Sequence, residues 1–485
     1  MGVRLTVSFG INCLNQLFHD PFSSMTSVIS KGRQRPDLLK DSVPTLLYRL
    51  TGPMIFGLAA IILFNVVDAY YIAQLGTEQL AALTYTFPAT FAFISFNIGF
   101  GTATSALVAN ALGRGDKQGA RKIVTYGLML AAIVVFCLAI IGNLTIEPFF
   151  RLIGAEGKVL GFIKVYMQVW YSGIVFLTIP MVVNAAIRGA GNTKIPSIIM
   201  SVAALLNGVL DPLLIFGLGP FPEMGMQGAA LSSLISWIGS MSAAIYVLNF
   251  HERLLLKAGF HWQHLKETWK QVSEIAVPAI ASNLLTPISL GILTALVTRY
   301  GEEAVASTGV GTRLESVLVI VSISMSSALP GIIGQNFGAG LKHRVVETMM
   351  AAFKFVMIWQ WVVAMCLWVA APTVANLFSD NDKVIDLVIF YLRVLPFSYG
   401  FLALTFVSTS TFNAMKKPRQ AMQINMIRLL VFYVPLSFAG AWIGGIKGIY
   451  LGAAAGNVCA GLVAFYWCNI NCRSECEGGN HKIPE

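Results

Sequence analysis

Apolar residues form long continuous runs between residues 51 and 471, and short polar loops separate the runs. Each run has about 18 or more mainly apolar residues, enough for a helix to cross the roughly 30 Å hydrocarbon core of a membrane. A membrane β-barrel would instead alternate apolar and polar residues in short segments. The pattern predicts twelve transmembrane helices, over residues 51–75, 80–113, 118–144, 158–188, 195–218, 225–250, 274–300, 303–338, 342–371, 383–414, 419–444 and 446–472.

The composition and the placement of charge agree with a membrane protein. The chain is 56% hydrophobic and 12% charged, whereas soluble domains carry about 25% charged residues. The net charge is +10, but the basic residues form no block or stripe, so we expect no nucleic-acid partner. Most of the Lys and Arg residues lie in loops on one predicted side, and this bias sets membrane orientation. We therefore predict a multi-pass protein of the cell inner membrane with both termini in the cytoplasm.

The two halves of the chain are similar to each other at a fixed offset of 225 residues. Pro53 aligns with Pro278, and Gly113 and Gly115 align with Gly338 and Gly340. Each half has six predicted helices, so both insert in the same orientation, and an axis along the membrane normal relates them. Two bundles with a cleft between them suit transport by alternating access better than a channel, which would close a ring around a pore.

The predicted fold is therefore an all-α membrane protein of two pseudo-symmetric six-helix bundles, and we expect it to act as a monomer. Its predicted parts are a cytoplasmic tail at 1–43, an N-lobe at 44–250, a cytoplasmic linker at 251–273, a C-lobe at 274–472 and a second cytoplasmic tail at 473–485.

Two aspartates lie inside predicted N-lobe helices, where an acidic residue costs about 2.5–3.5 kcal/mol on insertion scales and usually marks a pathway or site. Asp68 lies seven residues before the end of the first helix at Leu75, and Asp211 lies seven residues before Leu218 in the fifth. At about 1.5 Å per residue, both lie about 10 Å below the external surface. We expect the two carboxyls to lie at one level of the membrane.

Three further polar side chains are predicted near the same level. Asn207 lies four residues before Asp211 and so shares its helix face, one turn deeper. The sixth helix returns from the external side and brings Ser232 and Ser233 to the level of the acids.

The repeat provides an internal comparison for the two acids. At the offset of 225, Asp68 aligns with Leu293 and Asp211 aligns with Leu436. Since the second half has leucine at both positions, the architecture does not require the aspartates.

Two carboxyls in a poorly hydrated site oppose double ionisation and so favour holding one proton between them. Carboxylate, amide and hydroxyl oxygens also suit a small hard cation, so sodium at Asp68, Asn207 and Asp211 is the alternative. The structural alternative is that the acids only form hydrogen bonds between helices. We predict a coupling ion, proton or sodium, and no cofactor.

Other charged residues and a proline carry weaker signals. Arg313 and Glu315 are two apart and point to different faces, which favours separate partners or a place near a loop over a site. Arg428 is expected to reach a membrane interface with its long side chain. Pro53 removes a backbone hydrogen bond early in the first helix, which makes a bend there cheap.

Several motifs, in order, resemble one transporter family. They are "GPMIFGLAAIILFNVVDAYYIAQLG", "GRGDKQGARK", "IRGAGNTKIP" and "NGVLDPLLIFGLG" followed by "GMQGAALSS". The chain resembles the multidrug and toxic compound extrusion (MATE) transporters over residues 44–470, most closely the DinF-like branch. The resemblance implies two lobes in a V shape that exchange cationic or amphipathic drugs for protons or sodium.

The resemblance also implies roles for individual residues. Asp68 matches the family's helix 1 aspartate, proposed as the coupling residue. Asn207 and Asp211 match its helix 5 N-x-x-x-D pair, and Ser233 or Ser232 stands where a helix 6 threonine is usual.

Further matches concern the N-lobe cavity and the first helix. Tyr166 and Asn184 match polar positions that line the cavity, although the depth of Asn184 places it nearer the cytoplasm. Pro53 matches a proline proposed to kink as the aspartate is protonated. The NorM-like branch has acids in helices 7 and 10, and the corresponding stretches here have none, which favours coupling in the N-lobe and protons over sodium.

We therefore predict an efflux antiporter for organic cations or amphipathic drugs, and not an enzyme. The alternative is a lipid-linked oligosaccharide flippase of the same superfamily. Such a flippase would line its cavity with Arg and Lys to bind pyrophosphate, but the polar N-lobe residues are acidic or neutral. A membrane hydrolase is disfavoured because no His lies in the interior of a predicted helix and the chain has no HExxH motif.

Overall fold

A computed structural model describes residues 36–256 and 261–477. Within these residues the fold is helical, and its long helices follow the predicted order. The N-lobe contains α1 (Val43–Leu75), α2 (Thr77–Gly113), α3 (Lys117–Leu144), α4 (Gly157–Gly189), α5 (Lys194–Ile215) and α6 (Gly225–Tyr246), with a short helix (Ile146–Leu152) before α4.

The C-lobe repeats this order with two irregular helices. It contains α7 (Trp262–Val297), α8a (Glu302–Leu318), α8b (Ile320–Gly338), α9 (Lys342–Asn376) and α10 (Asp382–Ala414). Helix α11 begins as Pro418–Met426, passes through a π-helical turn (Ile427–Tyr433) and enters the segment Val434–Glu477, which also contains α12.

The boundary between α11 and α12 lies at two glycines. Gly444 and Gly445 have non-helical backbone angles, and Gly445 has φ 58° and ψ −139°, a conformation open to glycine but not to other residues. In the described chain, ten continuous helices are long and apolar enough to cross a membrane, and the α8a–α8b pair, bent by 43°, makes an eleventh span. Because the last of the ten is broken at the glycines, the spans correspond to the twelve predicted helices.

Two helices begin earlier than the hydropathy pattern predicts. Helix α1 begins at Val43 instead of residue 51, with a proline in its first turn, where a missing N–H costs nothing. Helix α7 begins at Trp262 instead of residue 274, so most of the predicted linker is helical. This extension buries one face, on which Leu265, Thr268 and Val272 lie. Of the predicted tails, residues 1–35 and 478–485 lie outside the described residues.

We call the end of the bundle at which α1 begins the inner end, following the predicted orientation. There α2 and α8b cross so closely that their backbones touch. A Cβ on Gly113 would overlap the backbone of Gln335, and one on Gly338 would overlap the backbone of Asn110. Both pairs are equivalent under the 225-residue offset, so the contact is self-complementary, as in a two-fold dimer.

Two inter-lobe hydrogen bonds follow the same symmetry. Asn110 Nδ2 donates to the carbonyl of Ala414, the last residue of α10, at 2.7 Å. Gln335 Nε2 donates to the carbonyl of Gly189, the last residue of α4, at 3.0 Å. Carbonyls at helix C-termini lack intrahelical partners, so each lobe satisfies one such carbonyl of the other lobe.

The hydrophobic clusters show where the lobes meet. Leu46, Leu47 and Leu50 of α1 share one buried cluster with C-lobe residues such as Met325 and Leu329. Towards the outer end, a second cluster contains N-lobe residues only and a third contains C-lobe residues only. The lobes therefore share one buried cluster in their inner half, and each has a cluster of its own towards the outer end.

Candidate functional site

Asp211 is fully buried between α5 and α6. The Ser232 hydroxyl on α6 donates a hydrogen bond to Asp211 Oδ1. The two helices approach closely here because Gly228 of α6 lies against the backbone of Leu214, where a Cβ would overlap the chain. A buried carboxyl is thus held at an interface of two tightly packed helices.

The carboxamide of Asn207 connects Asp211 to α6. One end of it lies 3.0 Å from Asp211 Oδ2, and the other lies 3.0 Å from the Ser233 nitrogen. With Asp211 ionised, the amide nitrogen faces Oδ2 and donates to it, while the amide oxygen accepts from the Ser233 N–H. In the opposite orientation the amide nitrogen could donate to the Ser232 and Ser233 hydroxyls at 3.2 and 3.3 Å, but it would then face the Ser233 N–H, a second donor. The orientation that satisfies both ends of the carboxamide is therefore the one that donates to Asp211 Oδ2.

Asp68 lies on α1, close enough to Asp211 for the two carboxyls to interact electrostatically. Its Oδ1 atom is buried and has no hydrogen-bond partner. Helix α1 packs tightly on α5 nearer the inner end, where a Cβ on Gly57 would lie 2.9 Å from Ser197 Cα. The close packing of these helices fixes the spacing of the two acids that they carry.

Tyr166 of α4 belongs to the same region, because it shares a buried cluster with Ile72 and Ile215, which lie one turn after Asp68 and Asp211. Asn184 does not belong to it, although the family resemblance suggested a shared cavity. Asn184 follows Tyr166 on α4 by 18 residues, which is about 27 Å along a helix. It lies in the inner part of the lobe, where its buried Oδ1 has no hydrogen-bond partner.

Pro53 also lies away from the acids. It is an internal proline of α1 near its inner end, 15 residues before Asp68, or about 22 Å along the helix. The nearby Thr51 hydroxyl donates to the Met325 sulfur of the C-lobe at 3.3 Å. A bend at Pro53 would therefore act first on the inner contact between the lobes.

The positions of the C-lobe that correspond to the two aspartates hold apolar side chains, and Leu293 is part of the buried C-lobe core. Among the described residues, no group of three or more His, Cys, Asp or Glu has the geometry to hold a metal ion.

The C-lobe contains a hydrogen-bonded cluster of one glutamate and two tyrosines that the sequence analysis did not predict. Glu315, near the bend between α8a and α8b, accepts hydrogen bonds on Oε2 from the Tyr391 and Tyr399 hydroxyls, both at 3.2 Å. Tyr391 follows Tyr166 by 225 residues and is therefore its equivalent in the second repeat. An intramembrane glutamate and a repeated tyrosine were the signals in the sequence that could have revealed this cluster.

Arg428 lies beside this cluster, and its predicted position was wrong. It does not reach an interface but is 9% exposed inside the C-lobe, on the π-helical turn of α11. Its guanidinium lies over the Phe406 ring at 5.9 Å from the centroid. It begins too far from the helix end to snorkel and is surrounded by other C-lobe helices.

The fold and its repeat match a known family. The sequence profile of the MatE family matches residues 53–213 and again residues 278–439, two spans that begin 225 residues apart. The chain belongs to the MatE family. The resemblance read from its motifs is thereby confirmed at the level of the family, and its placement in the DinF-like branch stays a prediction.

Known MatE relatives cover nearly the whole chain. A protein of Shewanella oneidensis named FAD transporter is 36% identical over 434 residues, which are 90% of this chain and 96% of the relative. A probable multidrug resistance protein NorM of Thermotoga maritima is 23% identical over 85% of this chain and 91% of its own length. The crystal structure of the Vibrio cholerae MATE transporter VcmN in the bent form has a TM-score of 0.84 and 30% identity, with 89% of this chain and 98% of that one covered.

These MatE relatives confirm a multi-pass membrane transporter and not an enzyme, as the sequence predicted. They confirm an all-α fold of the two-lobe type.

Proposed function

We propose that this MatE transporter exports an organic cargo in exchange for a cation that binds between Asp68 and Asp211. The observation that carries the proposal is the buried, unpartnered Oδ1 of Asp68 beside a second buried carboxyl. An ionised carboxylate oxygen without a donor is costly inside a membrane. A cation arriving from the outer side neutralises the charge and removes that cost. The ion-bound state of the site is therefore more stable than the empty, ionised state.

A proton is the better candidate for this cation. The Asp211 oxygens are already engaged by Ser232 and Asn207, whereas a metal cation needs several oxygen ligands at once. A proton needs only one oxygen, and the unpartnered Oδ1 of Asp68 supplies one.

In the proposed cycle, the transporter has its termini in the cytoplasm of the cell and works as a monomer in the inner membrane. Protonation from the outside favours release of the cargo to the outer cleft. The lobes then rock against each other, the inner contact opens, and loss of the proton to the cytoplasm resets the site. Such coupling requires that the ion and the cargo each bind the two conformations with different affinities.

The cargo has two candidate classes. The family resemblance suggests cationic or amphipathic drugs. The 36% identity to a protein named FAD transporter, against 23% to one named for multidrug resistance, favours a flavin dinucleotide or a similar molecule. Both classes are therefore tested.

The experiment measures efflux of FAD and of a fluorescent organic cation from proteoliposomes under an imposed proton or sodium gradient. We expect a proton gradient alone to drive efflux and Asp68→Asn and Asp211→Asn to abolish it. Glu147→Gln, which alters an exposed acid paired with Arg151, is the matched control and should be normal.

Efflux driven only by sodium would make the two aspartates sodium ligands. Undiminished efflux by Asp68→Asn would reject the proposed site. No flux of either cargo with either ion would favour the flippase alternative.

A further inference from the structure

Arg428 is a cation inside the transmembrane helix α11. It lies ten residues after Pro418, where α11 begins, which is about 15 Å along the helix. Ionisable residues at this depth are costly and are retained where they bind something or line a pathway.

No protein group accepts a hydrogen bond from this arginine within the described chain. Its Nε is enclosed without a partner. Glu315 attracts the guanidinium electrostatically, but the two form no direct ion pair, and Glu315 Oε2 already receives two tyrosine hydroxyls. A buried donor without a partner costs about 1–3 kcal/mol, and more when it is charged, so the structure leaves a strong donor ready for a ligand.

The surroundings indicate the chemistry of that ligand. A guanidinium presents its N–H groups in a planar fork that matches the oxygens of a phosphate or carboxylate. The Phe406 ring lies against it, 5.9 Å from the guanidinium to the ring centroid, and Tyr433 ends the same π-helical turn. The site therefore combines a phosphate donor with aromatic surface in a C-lobe that has no other buried basic residue among those described.

We propose that Arg428 anchors the phosphate group of an aromatic, phosphate-bearing cargo in the C-lobe. This proposal rests on the proposed export of an organic cargo and specifies its class. The N-lobe aspartates then bind the coupling cation while the C-lobe arginine binds the anionic part of the cargo, so ion and cargo occupy different lobes. Their competition acts through the conformation of the protein and not through a shared site.

The π-helical turn is a second observation that agrees with this role. A π-helical turn is a rare element, found frequently at functional sites. It begins one residue before Arg428. The corresponding α5 helix of the N-lobe is α-helical throughout, so the repeat by itself does not require the turn.

A structural role for Arg428 makes a different prediction. If it only neutralised Glu315, its loss would leave a buried negative charge, and Glu315→Gln would repair the damage. If it binds phosphate, Glu315→Gln would restore folding at most and not the affinity for a phosphorylated ligand.

The test measures equilibrium binding of riboflavin, FMN and FAD, which share one ring system and carry no, one and two phosphates. Purified protein in nanodiscs of uncharged lipid is titrated by flavin fluorescence with no ion gradient. We expect the wild type to bind FAD at least about tenfold more tightly than riboflavin. Arg428→Gln should raise the Kd for FAD and for FMN by about tenfold or more. It should raise the Kd for riboflavin by less than about twofold. Arg393→Gln, which alters an exposed arginine over the Trp368 ring, is the control and should bind all three normally.

Three results would overturn the proposal: equal wild-type affinity for riboflavin and FAD, an equal loss for all three ligands in Arg428→Gln, or recovery of FAD affinity in the Arg428→Gln, Glu315→Gln double variant. Thermal unfolding of each variant identifies one that has failed to fold, and Arg428→Lys then supplies a folded variant that keeps the charge and loses the planar fork. Binding is measured without a gradient, so it tests the role of Arg428 separately from ion coupling. Normal FAD binding with no ion-driven flux would reject the proposed antiport and would leave the proposed phosphate site at Arg428 standing.

Discussion

Asn110 and Gln335 occupy equivalent positions in the two repeats, and each donates a hydrogen bond to the last residue of a helix in the opposite lobe. The accepting residues, Ala414 and Gly189, are equivalent to each other as well. The same hydrogen bond between the lobes is thus made twice at the inner side of the transporter. We expect the inner side to have a closed and an open state, since opening must break both hydrogen bonds together.

Removing these carboxamides should shift the transporter towards an inward-open state. Each deletion leaves one helix-terminal carbonyl without its donor, at a cost of about 1–3 kcal/mol to the closed state, or roughly tenfold in the equilibrium. We expect Asn110→Ala and Gln335→Ala to have similar effects, and the double variant to populate the inward-open state most. Double electron–electron resonance between spin labels at the inner ends of α2 and α8b measures the population.

Thr102→Ala serves as the control for this experiment, because its hydroxyl bonds only to Ile98 of its own helix. If the double variant has the same distance distribution as the wild type, the two bonds do not hold the inner side closed.

The hydropathy pattern predicted the transmembrane helices well because burial in lipid requires about 20 apolar residues whatever the tertiary structure. It failed at the start of α7, where the helix extends beyond the apolar run. There the Trp269 indole donates to the Tyr126 carbonyl of α3 at 3.0 Å, a contact between distant segments. Hydropathy does not detect an amphipathic extension that is held by tertiary contacts.

The sequence predicted the part of the candidate site that depends on position along a helix, and missed the part that depends on tertiary contacts. Asp68, Asp211 and Asn207 were found from depth and helix spacing, which need only the rise of the helix. Sequence spacing does not indicate the partners of Glu315, because they are Tyr391 and Tyr399 of α10, which lie 76 and 84 residues away along the chain. Which helices lie side by side is decided by packing, so partners far apart in sequence stay hidden until the fold is known.

The two adjacent serines of α6 should differ in importance. Ser232 donates directly to Asp211, whereas Ser233 can serve Asn207 through its backbone N–H, which alanine retains. A hydrogen bond to a charged group contributes about 1.5–3 kcal/mol. Ser232→Ala should therefore change the ion concentration for half-maximal efflux by about tenfold or more, and Ser233→Ala by less than about threefold. Similar shifts in both variants would contradict the assignment of Ser232 as the partner of Asp211.

The packing of α1 on α5 should control coupling from a distance. Gly57→Ala places a Cβ 2.9 Å from Ser197 Cα, so the two helices have to separate, at a cost of about 1–3 kcal/mol for overpacking. We expect a lower apparent melting temperature and slower efflux. Gly52→Ala is the matched control on the same helix, because nothing lies within 4 Å of its Cβ position. Equal effects of the two substitutions would show that α1 is sensitive to any side chain and not to this contact.

Tyr166 and Asn184 lie on one helix, but we expect only substitution of Tyr166 to change the dependence of efflux on the coupling ion. Tyr166 lies in the buried cluster that also holds Ile72 and Ile215, one turn after the two aspartates, so Tyr166→Phe, which removes only the hydroxyl, should shift the ion concentration for half-maximal efflux. Asn184 lies about 27 Å away along α4, and its side-chain oxygen already has no partner, so Asn184→Ala loses no bond through that atom. We expect its ion dependence to match the wild type, and any defect to appear in the maximal rate through packing at the inner end. The same shift of ion dependence in both variants would mean that the cavity extends the length of the N-lobe, and that Asn184 takes part in coupling after all.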